Sequence, residues 1–132
     1  LTLSSRSNSA EILAERLGCN HIDWLFIERY SCDADVIINC TSLGSSLYPE
    51  LSPLPFRSLS KLRADTIIYD VVYDPSTTAF LNAASASNLR CLNGSRMNFE
   101  QAVLGFSYAA TNGLKNLDLE EFRSAMELAI KV

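Results

Sequence analysis

The 132-residue sequence predicts an α/β domain, a mostly parallel sheet flanked by helices. Three observations carry that expectation. Short β-branched runs alternate with segments of helical periodicity, the order that builds parallel sheets. Val36, Ile37 and Ile38 are apolar at successive positions, as in a strand covered on both faces. Ile67, Ile68, Val71 and Val72 repeat the pattern about thirty residues later.

Residues 1–5 alternate apolar and polar, which fits a short strand. Ser7, Asn8 and Ser9 follow, with Glu11 three residues after Asn8, close to the capping box that opens a helix. Ala10, Leu13, Ala14 and Leu17 make one apolar stripe at helical spacing, and Gly18 stands where a helix ends. Residues 20–34 fit a short strand or a turn of helix around Ile22, Trp24, Phe26 and Ile27. Residues 35–41 form a buried strand. Residues 42–60, with Gly44, Pro49, Pro53, Pro55 and many serines, read as loop. Residues 64–73 are a second buried strand. Asp74-Pro75 turns the chain, residues 77–87 look helical, and 89–92 form a short strand. A long helix covers 95–111 and is closed by Asn112-Gly113. It turns Phe99, Val103 and Phe106 to the core and Met97, Gln101, Leu104 and Tyr108 another way. Asp118 caps the last helix, whose stripe is Leu119, Phe122, Met126 and Ala129.

Composition removes several classes of function. A net charge of −4 offers no diffuse basic field to nucleic acid or an anionic membrane. No apolar run is long enough to span a bilayer. The cysteines at 19, 32, 40 and 91 include no Cys-x-x-Cys pair, and His21 is the single histidine, so no metal site is expected. The cysteines read as free thiols in a reducing, cytoplasmic compartment.

Parallel sheets bind ligands at the carboxyl ends of their strands, so the residues after each strand are the candidates. Ser5, Arg6 and Ser7 follow the first. In a dinucleotide fold an arginine here accommodates the 2′-phosphate of NADP, whereas an acid accepts from the ribose 2′-hydroxyl of NAD. Arg6 has the first character, since its planar fork suits a phosphate. Two hydroxyls and a helix N-terminus add donors. An ordinary surface arginine beside a helix cap fits the same residues. Asn39-Cys-Thr-Ser-Leu-Gly44 lets a ligand approach the backbone, or simply makes a turn. Asp70 is a carboxylate within an apolar run and needs partners if buried. Tyr73 sits at that strand's mouth. Asn93-Gly94 is a turn signal, and Gln101 between Met97 and Leu104 suggests a specific hydrogen-bond partner.

Taken together, the segments resemble the shikimate dehydrogenases. Residues 35–44 are similar to the family's Asn-Ala-Thr-Ser-x-Gly stretch. Tyr69-Asp-Val-Val-Tyr-Asp-Pro75, with Thr78 and Phe80-Leu81, is similar to its Tyr-Asp-x-x-Tyr-x-Pro and Thr-Pro-Leu-Leu. Asn93-Gly94, Met97 and Gln101 match Asn-Gly-x-x-Met-x-x-x-Gln, and Ser5-Arg6-Ser7 is similar to Asn-Arg-Thr. The resemblance implies the C-terminal, NADP-binding, Rossmann-like domain of a shikimate/quinate dehydrogenase, over all of residues 1–132. It implies NADP-dependent interconversion of 3-dehydroshikimate and shikimate, in aromatic amino-acid biosynthesis. Arg6, Ser5 and Ser7 would hold the 2′-phosphate. Thr41, Val71, Gly94 and Met97 would line the nicotinamide, and Tyr73 and Gln101 would reach the substrate.

The departures are specific. The family's catalytic lysine and aspartate belong to an N-terminal substrate domain that nothing here resembles. No catalytic residue is assigned, and Lys61, Lys115 and Lys131 lie outside the matching motifs. The glycine-rich pyrophosphate turn is missing, so the fold is expected to lack its first βα unit. That leaves a gap between the strand at 1–5 and the strand at 35–41. The chain opens on Leu1 in mid-strand, so the expected partners are the missing N-terminal domain or a second copy in a homodimer. Ser5 replaces an asparagine, Arg96 a glycine, and Ala10 leaves no second basic residue one turn after Arg6. Two other functions compete. One is a non-catalytic relative that binds a shikimate-type ligand or a partner. The other is an NAD-dependent quinate or shikimate enzyme, for which an acid at the position of Arg6 would be expected.

Overall fold

Among the described residues of a computed structural model, 1–111 and 118–130, parallel strands alternate with helices. They run β1 (Thr2–Leu3), α1 (Ser9–Leu17), β2 (Asn20–His21), α2 (Ile27–Ser31), β3 (Val36–Asn39), α3 (Phe56–Leu59), β4 (Ile67–Asp70), α4 (Ala79–Ala86), β5 (Arg90–Leu92), α5 (Ser95–Thr111) and α6 (Leu119–Ile130). This is the α/β, Rossmann-like arrangement the pattern predicts.

The strands form two sheets, not one: β1-β2, and β3-β4-β5, parallel throughout. The amide of Asn20 donates to Leu1 O at 3.2 Å and that of Ile22 to Leu3 O at 3.0 Å. Odd residues of β1 therefore face β2, and the backbone of Thr2 faces away. Likewise the amides of Ile67 and Val71 donate to Asp35 O and Asn39 O at 2.9 and 3.1 Å, so Val36 and Ile38 turn their backbone groups from β4. No described strand joins these two open edges. The division falls where the sequence predicts a gap.

The gap corrects one expectation. Residues 36–38 read as a strand buried on both faces, yet Val36 and Ile38 are 49% and 51% exposed. An edge strand with one face left open among the described residues does not bury that face. The stripe of α1 is thinned for the same reason. Ala10 and Ala14 are buried, while Leu13 and Leu17 are exposed, because α1 covers only two strands.

The core lies between β4 and the helices α3 and α4. Leu54, Leu59, Ile68 and Phe80 are at most 1% exposed there, with Leu81 and Ala84 beside them. Residues 42–60 are not all loop, since α3 closes the segment. Pro55 stands at its N-cap with φ −57°, suited to helix entry, and Leu59 anchors it. The strand expected over 64–73 shortens to β4. Thr66 N bonds back to Arg63 O in a turn before it, and Arg63 pairs with Asp35 at 3.0 Å and Asp65 at 2.6 Å. Residues 20–34 hold both alternatives, β2 and then a 3-10 turn (Trp24–Phe26) leading into α2.

The caps also differ. Asn8 occupies the N-cap of α1 but makes no side-chain bond; Ser5 Oγ accepts from Ala10 N at 3.0 Å instead. Gly18 ends α1 at φ 63°, left-handed as expected. Asp118 Oδ1 accepts from Glu120 N at 2.9 Å, which caps α6. Val103 is buried, but Phe106 is 53% exposed and stacks on Phe122 of α6, ring centroids 4.6 Å apart. Asn112-Gly113 lies outside the described residues.

Candidate functional site

Within each sheet the strands are parallel, so the carboxyl ends of each sheet gather the loops that carry its candidate residues. A cleft of about 580 Å³ is lined by Arg6 after β1 and Leu43 after β3, with Trp24, Glu28 and residues 50–56. A neighbouring cleft of about 390 Å³ is lined by Ser5, Arg6, Ser7, Asn8, Glu11, His21 and Asp23–Leu25. Arg6, Trp24 and Leu25 border both. The exposed Arg6 makes no ion pair among the described residues, which leaves its guanidinium available to an anion.

The flanking serines are less free. Ser5 Oγ donates to Ser7 O at 2.6 Å while accepting from Ala10 N, and Ser7 Oγ shares a hydrogen bond with Ser9 Oγ at 2.8 Å. They shape the entry to α1. Ser4 Oγ, just beyond β1, is buried with no partner among the described residues.

At the other strand ends a buried polar network closes the loops. Asp70, the last residue of β4, is fully buried. Its carboxylate accepts from Asn39 Nδ2 at 2.9 Å, Val72 N at 3.1 Å and Thr78 Oγ1 at 2.7 Å. Asn39, the last residue of β3, donates a second bond to Leu43 O at 3.0 Å. Its Oδ1 accepts from Thr41 N at 3.0 Å and Thr41 Oγ1 at 2.7 Å. Thr41 Oγ1 accepts in turn from Leu43 N at 3.1 Å, so this hydroxyl is committed to its own loop. Thr78 Oγ1 accepts from Leu81 N at 3.2 Å and caps α4. Every polar atom of Asn39 is used, as burial requires. The carboxylate thus has the partners that its place in an apolar run demands, and they are donors, not a cation.

Val71 and Gly94 meet. Gly94 is buried, and a Cβ there would land on the carbonyl of Val71 and within 3.0 Å of its Cα. Gly44, at φ 93°, packs on Thr78 in the same way, where a Cβ would lie 3.0 Å from Thr78 Cβ. Tyr73, Met97 and Gln101 are exposed and border neither cleft; Tyr73 stands three residues past the end of β4. Arg96, the substitution for glycine, turns to the helices. It pairs with Glu100 at 2.6 Å and Glu127 at 3.1 Å and lies 5.3 Å from the centre of the Phe99 ring. Cys40 is exposed after β3, and partial burial, then the charge of Asp70, pushes its thiol up. A raised thiol is a poor nucleophile.

Sequence reasoning missed Trp24 and His21, which border the clefts around Arg6, because their stretch had no single periodicity. It also missed Thr78 as a partner of Asp70. Among the described residues no three His, Cys, Asp or Glu side chains gather as metal ligands, and no helix is long and apolar enough to cross a membrane.

No protein-family model matches the chain. The chain is 36% identical over 111 residues to a shikimate dehydrogenase (NADP(+)) of Oleidesulfovibrio alaskensis, an alignment covering 80% of this chain and 38% of that protein. It superposes on shikimate 5-dehydrogenase of Thermus thermophilus, solved with NADP(H) and shikimate, with a TM-score of 0.70 and 27% identity over 97% of this chain and 45% of the other. Quinate dehydrogenase of Corynebacterium glutamicum, solved with NAD, gives a TM-score of 0.69 and 28% identity, over 96% and 45% of the two chains. The chain therefore spans less than half the length of these relatives.

Proposed function

We propose that this chain, homologous to the NADP-dependent shikimate dehydrogenases over most of its length, is the cofactor-holding part of an enzyme that interconverts 3-dehydroshikimate and shikimate. The observation that carries the reading is Arg6, an exposed guanidinium after β1 that makes no ion pair among the described residues and borders both clefts. A planar fork there suits the 2′-phosphate of NADP, with the start of α1 behind it. Ser5 and Ser7 hold the turn that presents Arg6. Val71 and Gly94, in contact, form the nicotinamide wall with Thr41 and Met97, and Thr41 contributes through its carbonyl, since its hydroxyl and its amide are both bonded within the loop. Tyr73 and Gln101 are exposed polar groups for the substrate side. The bound nicotinamide supplies the hydride chemistry, and the protein supplies orientation.

Residues 1–132 are a partial domain on this reading. The open edges of β1 and β3 are where a further strand belongs, and the acid/base pair comes from another part of the protein. A cytoplasmic location and a homodimer belong to the same proposal.

The test is NADP-dependent oxidation of shikimate by the full-length protein. Losing a charged hydrogen bond worth about 1.5–3 kcal/mol, Arg6→Ala should raise the KM for NADP roughly 10- to 150-fold and spare that for NAD. Gln101→Ala should weaken shikimate turnover; unchanged kcat and KM would remove Gln101 from the site. No turnover by the full-length protein would overturn the reading. It would favour a non-catalytic module that binds a shikimate-type ligand or a partner. The ion pairs that draw Arg96 onto α5 and α6 are compatible with either outcome.

A further inference from the structure

Asp70 spends a fully buried carboxylate on three neutral donors, with no cation within ion-pairing distance among the described residues. Burying a charge this way is costly unless every lone pair is used well. Its donors come from three different segments: the end of β3 through Asn39, the exit of β4 through Val72, and the start of α4 through Thr78. Asn39 carries the tie on to Thr41 and Leu43, and Gly94 N bonds Val72 O at 3.4 Å, which brings in the β5–α5 turn. One carboxylate therefore ties the loops after β3 and β4 together, and the β5–α5 turn joins them through Val72. Those loops bear Thr41, Val71, Tyr73 and Gly94.

We propose that Asp70 is the positioning residue of this edge: it locks the loops after β3 and β4 into one shelf and so fixes where the nicotinamide wall stands relative to the substrate side. The role in catalysis rests on the function proposed above; the coupling of the loops does not. Asp70 is fully buried, and acts through Asn39, Val72 and Thr78. The Arg6 corner belongs to the other sheet and lies outside the network, so 2′-phosphate binding should be indifferent to it.

Two measurements on the full-length protein separate the parts. Thr78→Val keeps the shape of the side chain and removes one donor from the carboxylate. Amide exchange should then speed up about tenfold or more not only at Leu81, the local cap, but at Thr41, Leu43 and Val72 across the network. Thr78→Ser should restore protection at all four. A change confined to the start of α4 overturns the proposal, whatever the protein's activity. For turnover, Thr78→Val and Asp70→Asn should lower kcat about tenfold or more, because small misplacements are expensive, with the KM for NADP within about threefold. A wild-type protein that oxidises shikimate and two folded variants with unchanged kcat would sink the positioning role and leave the function standing. Where Asp70→Asn does not fold, Thr78→Val alone decides.

Discussion

Replacing Gly94 by alanine adds one methyl group where the backbone of β5–α5 lies against the exit of β4. Gly94 does not have positive φ, so the cost is steric and not conformational. The new Cβ would collide with the carbonyl of Val71 and crowd its Cα at 3.0 Å, and these are main-chain atoms that cannot rotate aside. The neighbouring bond from Gly94 N to Val72 O, already 3.4 Å, would lengthen as the two segments separate. Overpacking of this kind costs about 1–3 kcal/mol. For a chain of this size that is roughly 3–5 °C in Tm per kcal/mol, or about 3–15 °C in total. Gly105 is the internal control. It is exposed on α5 with nothing within 4 Å of its added Cβ, so Gly105→Ala should stabilise by about 0.5–1 kcal/mol through helix propensity. Urea unfolding followed by circular dichroism reads both. Opposite signs support the close approach. A Gly94→Ala protein as stable as wild type would show that the contact between Val71 and Gly94 is loose, and would remove the basis for placing them in one wall.

Phe80 is fully buried at the centre of the β4–α4 core, so Phe80→Ala should destabilise by about 3–5 kcal/mol in the same assay, and a loss below about 1 kcal/mol would contradict its burial. Glu100 is held below the usual carboxylate range by the hydrogen bond from Arg123, then by the charges of Arg123 and Arg96. Its contribution is therefore present above the ordinary carboxylate pKa and lost as pH falls through the lowered value. Glu100→Gln should flatten the acid limb of stability against pH, and an unchanged slope would refute the assignment. The Cys40 thiol is pushed up by burial and by Asp70, so the midpoint of its iodoacetamide reactivity should lie above that of an unperturbed cysteine. A midpoint at or below that value would contradict it.

Local signals were legible in the residues, and long-range ones were not. Successive β-branched residues gave β3 and β4, and helical stripes gave α1, α5 and α6, because those patterns depend on near neighbours. The need of Asp70 for partners followed from a carboxylate amid Ile68, Val71 and Val72. Which partners it takes did not, since Asn39 lies 31 positions away and meets it only after β3 pairs with β4. The half-exposure of Val36 and Ile38 was equally out of reach, for it depends on what packs over that face of the strand. Asn8 stands at the N-cap position, but the turn at 5–9 brings Ser5 Oγ to the amide of Ala10 instead. On the site, Arg6 was legible because its chemistry is borne by one side chain. The commitment of the Thr41 hydroxyl was not, because it is decided by Asn39 and Leu43.

The divided sheet has a consequence for how firmly each part of the site is held. The β3-β4-β5 sheet rests on a core that includes Leu59, Ile68 and Phe80, whereas β1 and β2 are pairs of residues packed on α1, whose buried residues are Ala10 and Ala14. Two-stranded pairing with so little buried apolar area is marginal in water. The Arg6 corner should therefore be the soft half and the Asp70 shelf the rigid half. Amide exchange on residues 1–132 alone should show fast exchange at Asn20 and Ile22, which bond to β1, and slow exchange at Ile68 and Tyr69. A strand placed between β1 and β3 would satisfy Thr2 on one side and Val36 and Ile38 on the other, joining the halves into one sheet. Protection at Asn20 and Ile22 should then rise in the full-length protein far more than at Ile68. Equal protection of the two sheets in residues 1–132 alone would mean that β1 and β2 are held by something other than the strand pairing and α1 contacts described above, and the case for an intervening strand would lose its energetic ground.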